Sequence, residues 1–209
     1  MAVDALDEGL QALIERDADI ARAYRLAGAP ASRRRRPGFA SLLGIIVNQQ
    51  VSQHAGKAIW RRLEDSLGEV SPKSVLGRPE RRLRALGLSR AKAGYARALA
   101  GMIARRELDL GGLARLDDDA ARAELIRVPG IGRWTADIYL MFALGRADVW
   151  PAGDLALAVA AERLLGRKRR PTPRELEAIG LAWRPWRTAA AVMLWHFYRH
   201  PAASRKCAD

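Results

Sequence analysis

The chain has 209 residues, and 36 lysines and arginines against 23 aspartates and glutamates give a formal net charge of +13. A composition 49% hydrophobic and 28% charged excludes global disorder, and the cationic excess points to an anionic partner, nucleic acid before an acidic membrane surface. Only Lys57, Lys73, Lys92, Lys168 and Lys206 are lysines, so an arginine-rich genome explains part of the excess.

A single cysteine, Cys207, excludes an internal disulfide and any thiol cluster able to hold zinc or iron–sulfur. The acidic start "MAVDALDEGL" lacks the layout of a secretion signal. No window reaches the roughly 18 uninterrupted apolar residues of a membrane span, Asp137 breaking the nearest one. A soluble, intracellular protein is expected, cytoplasmic and associated with the nucleoid.

Helical periodicity runs through the chain, and no stretch alternates with period two. Leu6, Leu10, Leu13 and Ile14 form one apolar stripe, and Ile20, Tyr24 and Leu26 a second behind Asp17. The connector "APASRRRRPG", 29–38, holds four adjacent arginines, 33–36, which read as a solvated linker or as a phosphate contact. Phe39 to Val51 reads as a buried helix. Ser52 caps the next one, which ends before Gly68. Short helical pieces follow from Ser71-Pro72 and from Arg78 to Leu86. Ser89 opens a longer helix to about Arg106, and Asp117 another through Ile126. Beyond "VPGIG", Trp134 to Leu144 is helical, and "WPAGDLAL" launches a helix to Gly166. A second basic connector carries the cluster 167–170. Thr172-Pro173-Arg174-Glu175 then satisfies a capping box, and "RPWRTAAAVMLWHFYRH" closes the chain. About ten helices with short loops make the chain all-α.

The turn "VPGIGRWTAD", 128–137, sets two glycines before a helix. Glycine admits positive φ and close backbone approach, and the helix behind it presents N–H groups and a positive dipole end. A DNA phosphate fits there without side-chain charge. Gly130 and Gly132 would supply the approach, with Arg133 and Thr135 assisting. A plain helix–helix loop explains a lone Gly-x-Gly; between two good helices in a basic chain, phosphate binding is the stronger reading.

"LIRVPGIGRWTAD" resembles the helix-hairpin-helix motif of the DNA glycosylase superfamily named for its hairpin, its Gly/Pro-rich stretch and its aspartate. "IIVNQQVSQHAGKAIWRRL", 45–63, is similar to that family's early helix pair, and "LGLSRAKAGYARALA", 86–100, to its middle segment. "PAGDLAL" resembles its aspartate loop, and "LAWRPWRTAAAVMLW", 181–195, the closing helix of the 3-methyladenine glycosylase II branch. Together these segments cover most of residues 40–197, and hairpin, aspartate loop and W-x-P-W-R in that order form a strong signal.

Read locally, Asp154 is a helix N-cap. The resemblance implies a second use of the same carboxylate. A fixed negative charge stabilises a sugar that gains oxocarbenium character as its base leaves, and it can orient the attacking water. In lyase-type members a lysine stands two residues after the second hairpin glycine; this chain has Trp134 there. An indole cannot attack as a nucleophile, so the resemblance implies a monofunctional glycosylase.

A base inside a duplex must be extruded. The resemblance makes Gln50 the wedge, with Gln49 beside it, unless that amide pair merely stitches two helices together; Leu88 is a weaker candidate for the opposite strand. A cationic methylated purine stacks on aromatic faces, for which Trp134, Trp183, Trp186 and Tyr139 are the candidates. Trp60, Trp150 and Trp195 read as core.

The resemblance further implies two helical lobes around a catalytic cleft, 40–150 forming one and 1–39 plus 151–209 the other. It implies a monovalent cation, Na+ or K+, on the backbone carbonyls of Ile126, Val128 and Ile131, with no other cofactor and no Fe–S cluster. No amino-terminal β domain of the kind larger relatives carry is expected from these residues, and Gly153 stands where some relatives have a second acid. The expected partner of this monomer is double-stranded DNA with damaged bases, and the expected reaction is hydrolytic excision of alkylated purines. The alternatives are a glycosylase for deaminated or oxidised bases, and a DNA-backbone-binding module without turnover.

Overall fold

The computed structural model describes residues 5–201; Cys207 and Lys206 lie outside them. Among the described residues there are twelve α-helices, two 3-10 turns and a π turn, with no strand. The fold is all-α, and the helix count exceeds the expected ten through short pieces such as α5 and α6.

The chain divides into two compact units, Arg35–Leu144 and the pair of segments Met1–Arg34 and Gly145–Asp209. The internal unit holds α3 (Phe39–Asn48), α4 (Gln53–Leu67), α5 (Pro72–Leu76), α6 (Glu80–Ala85), α7 (Arg90–Ala104), α8 (Asp118–Ile126) and α9 (Arg133–Tyr139). Its core gathers round α3, where Leu42, Leu43, Ile46 and Val47 are fully buried and which packs on α4, α7 and α9. The second unit holds α1 (Ala5–Arg16), α2 (Ala18–Ala27), α10 (Leu155–Leu164), α11 (Pro173–Gly180) and α12 (Arg187–Arg199). Here α12 is the centre. Residues Ala189–Leu194 are buried without interruption, as a helix hydrophobic all round must be, and α1, α2 and α10 pack against it.

Most helices start where a side chain can satisfy their first N–H groups. Asp17, Ser52, Ser89, Asp117 and Asp154 each accept from the helix they precede, and Ser71 and Thr172 close capping boxes behind Pro72 and Pro173. The helix read from Trp134 to Leu144 starts one residue earlier and changes character: Leu140–Leu144 is a π turn, a local widening common near functional sites.

Candidate active site and nucleic-acid contacts

Asp154 stands before α10 with an extended backbone, φ −78° and ψ 121°, and is half-buried. Its Oδ1 accepts the Leu157 N–H at 2.7 Å and the Trp195 indole N–H at 2.9 Å. The first bond is the cap that the sequence predicts. The second comes from a residue 41 positions away on α12, and no local pattern announces it. Trp195 is indeed buried, 6% exposed, but its polar edge is spent on this carboxylate. Two N–H groups on one oxygen hold the side chain in a single orientation and complement an anion.

The loop that carries Asp154 is tied down from the same helix. Arg187 grips Asp148 with two parallel bonds, Nε to Oδ1 at 2.8 Å and Nη2 to Oδ2 at 3.0 Å, and reaches its carbonyl at 2.8 Å. Arg184 adds a third contact to Asp148 at 3.1 Å. Thr188 Oγ1 donates to the Arg146 carbonyl and accepts the Val149 N–H. Burial pushes the Asp148 carboxyl up, but the hydrogen bonds from Arg187 and then Arg184, with the Arg187 charge, outweigh it and hold the group below the usual carboxylate range. The arginines of W-x-P-W-R are therefore clamps on the aspartate loop.

Of the candidate base-pocket aromatics, Trp134 alone is well exposed, at 39%. Two are corrected. Trp183 is 2% exposed, donates to Asp17 Oδ2 at 2.8 Å and meets Trp150 edge-to-face at 5.2 Å, so it is core. Tyr139 is fully buried and its hydroxyl accepts the Gly38 N–H at 2.9 Å; burial raises its phenol, which that bond offsets only in part. Trp186 is half-buried with its ring against α1, where a Cβ on Gly9 would stand 2.7 Å from Cε3.

At the hairpin, α8 leads through Pro129 into Gly130, φ +85°. A Cβ there would meet the Tyr95 ring at 2.2 Å, so the fold itself requires this glycine. Gly132 is different. Its φ is −91°, open to any residue, and a Cβ would meet nothing within 4 Å. Neither its backbone angles nor crowding requires glycine at 132, where the residue stands as the N-cap of α9. Arg133 is exposed beside it, 3.8 Å from Asp137. Asp137, fully buried, accepts Arg122 Nε at 2.6 Å and so bolts α9 to α8. Thr135 is a correction: it is 3% exposed and its hydroxyl accepts Gln49 Nε2 at 2.9 Å, facing inward rather than toward a phosphate.

The wedge assignment also divides. Gln49 does stitch elements together, reaching the Gly130 carbonyl at 3.0 Å as well as Thr135. Gln50 is exposed with φ +52°. Leu88 is 4% exposed and belongs to the core, which removes it as a wedge.

The two arginine clusters are partly spoken for. Arg33 is half-buried, its guanidinium lowered by burial and then by Arg199, and the Arg34 guanidinium lies over Gly145. In 167–170, Arg169 pairs bidentately with Glu175 at 2.6 and 2.9 Å.

These elements, an N-capping aspartate behind Pro-Ala-Gly and a Pro-Gly-Ile-Gly hairpin, fall within a stretch matched by a family model. Residues 43–186 match the HhH-GPD superfamily base excision DNA repair protein. The chain belongs to the HhH-GPD superfamily. It is similar to the probable bifunctional transcriptional activator/DNA repair enzyme AlkA of Mycobacterium tuberculosis, 38% identical over 117 residues, which are 56% of this chain and 22% of that protein. The chain thus spans about a fifth of that curated relative. The crystal structure of DNA-3-methyladenine glycosidase from Bacillus halodurans superimposes with a TM-score of 0.83 at 29% identity, covering 95% of this chain and 92% of that one. The Schizosaccharomyces pombe 3-methyladenine DNA glycosylase Mag1, solved in complex with abasic DNA, gives 0.78 at 26% identity, covering 90% and 95%.

Among the described residues no helix is long and apolar enough to cross a membrane. None of their His, Cys, Asp and Glu residues form a group of three that could hold a metal ion.

Proposed function

We propose that this HhH-GPD chain is a monofunctional DNA glycosylase that binds damaged double-stranded DNA as a monomer and releases alkylated purines. The observation that carries the reading is Asp154, fixed at a helix N-terminus by Leu157 and Trp195. As the C1′–N bond breaks, its electron pair goes to the base. A purine already cationic through N-methylation leaves neutral and needs no proton. The sugar takes up the positive charge, which a preorganised carboxylate stabilises more in the transition state than in the ground state. Water then forms the new C1′–O bond and its proton passes to the carboxylate or to solvent.

Trp134 supports the hydrolytic form of the reaction. The position that carries lysine in lyase-type relatives holds an exposed indole, which cannot form a Schiff base but offers a face to a cationic base. Gly132 and the N-terminus of α9 would receive a phosphate, Arg133 adding charge. The carbonyls of Ile126, Val128 and Ile131 are neutral oxygen donors, and Ile126 is the last residue of α8, at its negative dipole end. That donor chemistry fits Na+ or K+, which when bound would add positive charge beside the phosphate.

The test is chromatography of bases freed from randomly methylated duplex DNA. Release of 3-methyladenine or 7-methylguanine without strand scission is expected. Asp154→Asn should lower release by at least about a hundredfold while DNA affinity stays within a few-fold. Release of hypoxanthine or 8-oxoguanine from duplex oligonucleotides that carry them, with no methylated base released, would move the substrate class. Steeply salt-dependent binding with no base released would leave a DNA-binding module.

A further inference from the structure

Within the internal unit, Gln50 has a left-handed backbone, φ +52°, at an exposed position. Glycine, which lacks a Cβ, or asparagine, with its short hydrogen-bonding side chain, is at ease in that conformation; glutamine is not. Its neighbour Val51 is also exposed, at 37%. An exposed turn gains nothing for the core by being strained, and strain of this kind survives only where the surroundings impose it.

The imposing contacts come from two sides. α3 ends at Asn48, and its last carbonyls have no helical N–H to accept. Lys92, in the first turn of α7, donates its Nζ to the Val47 carbonyl at 2.8 Å and to the Gln49 carbonyl at 2.6 Å. The Gln49 amide in turn donates to the Gly130 carbonyl and to Thr135 Oγ1. Three segments distant in sequence are thereby joined at one residue before the strained tip. Burial lowers the Lys92 ammonium from its ordinary value, the cost of placing a cation on these carbonyls.

We infer that Lys92 and Gln49 are positioning residues that hold the Gln50 tip in fixed register with the glycine turn, so that docking on the DNA backbone and insertion into the duplex are one rigid-body operation. The inference rests on the DNA-binding reading above and adds to it which residues couple its two parts. Lys92 touches no substrate in this scheme; it acts through Gln50.

The experiment uses the full chain and duplexes carrying a tetrahydrofuran abasic analogue beside 2-aminopurine, with the undamaged duplex as control. Three quantities are read: affinity for each duplex, the 2-aminopurine fluorescence rise that reports unstacking, and the melting temperature. Lys92→Met and Gln49→Leu should each lose about tenfold of the preference for abasic over undamaged duplex, and most of the fluorescence rise. Affinity for undamaged duplex should change less than about threefold. Lys92→Arg, which can donate to both carbonyls, should restore the preference. The decisive arm is a double-mutant cycle: in a Gln50→Ala background Lys92→Met should have no further effect. Equal losses in both backgrounds, or single variants that keep the wild-type fluorescence, would overturn the inference. If Lys92→Met does not fold, the Gln49→Leu cycle on Gln50→Ala is read in the same way. Wild-type protein with neither preference nor fluorescence rise would instead remove the DNA-glycosylase reading itself.

Discussion

Asp154 is a helix cap, and the catalytic use proposed for the same carboxylate does not compete with it. The cap holds one oxygen through Leu157, and the indole of Trp195 fixes its direction. Trp195→Phe keeps an aromatic ring, though a smaller one, and removes one N–H donor. Turnover should fall about tenfold through loss of a charge-assisted bond, with KM and DNA affinity nearly unchanged, measured by single-turnover base release. A fall in DNA affinity with unaltered turnover would assign the indole to folding alone. Asp154 itself is legible in the sequence, because a cap is local: the accepting oxygen and the N–H it serves lie three residues apart. Its partner Trp195 is not. Six tryptophans share one chain, and which of them is sealed, as Trp183 is, or exposed, as Trp134 is, depends on packing between elements. Tyr139 and Leu88 misled for the same reason: an amphipathic residue near a motif looks available until its neighbours in space are known.

At the scale of elements, the aspartate loop and α12 stand as one piece through Asp148 and Arg187. Asp148 has its carboxyl held below the usual range, so its stabilisation is complete above the unfolded value near 3.9 and is lost as pH falls through the folded one. Asp148→Asn leaves Arg187, with a side chain only 13% exposed, with only the longer contact to Glu177 at 3.8 Å as a counter-charge. A loss of about 2 kcal/mol, between the surface and buried limits for ion pairs, lowers the melting temperature at pH 7 by roughly 4–8 °C. The variant should then lose less of its stability than wild type as pH falls below about 4, as followed by helical circular dichroism. Glu175 belongs to the same acid window. Its hydrogen bond from Arg169, then those from Thr172, press its carboxyl down to about 2, and carboxyl chemical shifts should show it titrating last among the surface glutamates. The helix starts were readable from Ser52, Ser71, Ser89, Asp117 and Thr172 for the reason that applies to Asp154. The π turn at Leu140–Leu144 was not, since a helix widened by one residue keeps the same apolar composition.

For the whole molecule, a net charge of +13 predicts affinity for any DNA that weakens steeply with salt, each neutralised phosphate contributing about −0.9 to the slope of log K against log salt. Charge, however, does not distinguish a phosphate held by arginine from one held by backbone, and the two glycines of the hairpin allow that distinction. Gly130→Ala is uninformative, because its φ of +85° and the Tyr95 ring 2.2 Å from a Cβ would distort the fold. Gly132→Ala costs the fold little beyond a weaker N-cap for α9: its φ of −91° suits alanine, and the added methyl meets only open space. Its melting temperature should stay within about 2 °C of wild type, the methyl standing where a phosphate oxygen must approach. DNA affinity should therefore drop by about tenfold at every salt concentration, the slope unchanged, because no cation has been lost. Arg133→Ala should do the reverse, flattening the slope by about 0.9 and converging on wild type at high salt. Parallel lines for the glycine variant and a shallower one for the arginine variant identify a phosphate seated on the backbone of the turn. A glycine variant that bound DNA as tightly as wild type would show that the turn merely joins two helices.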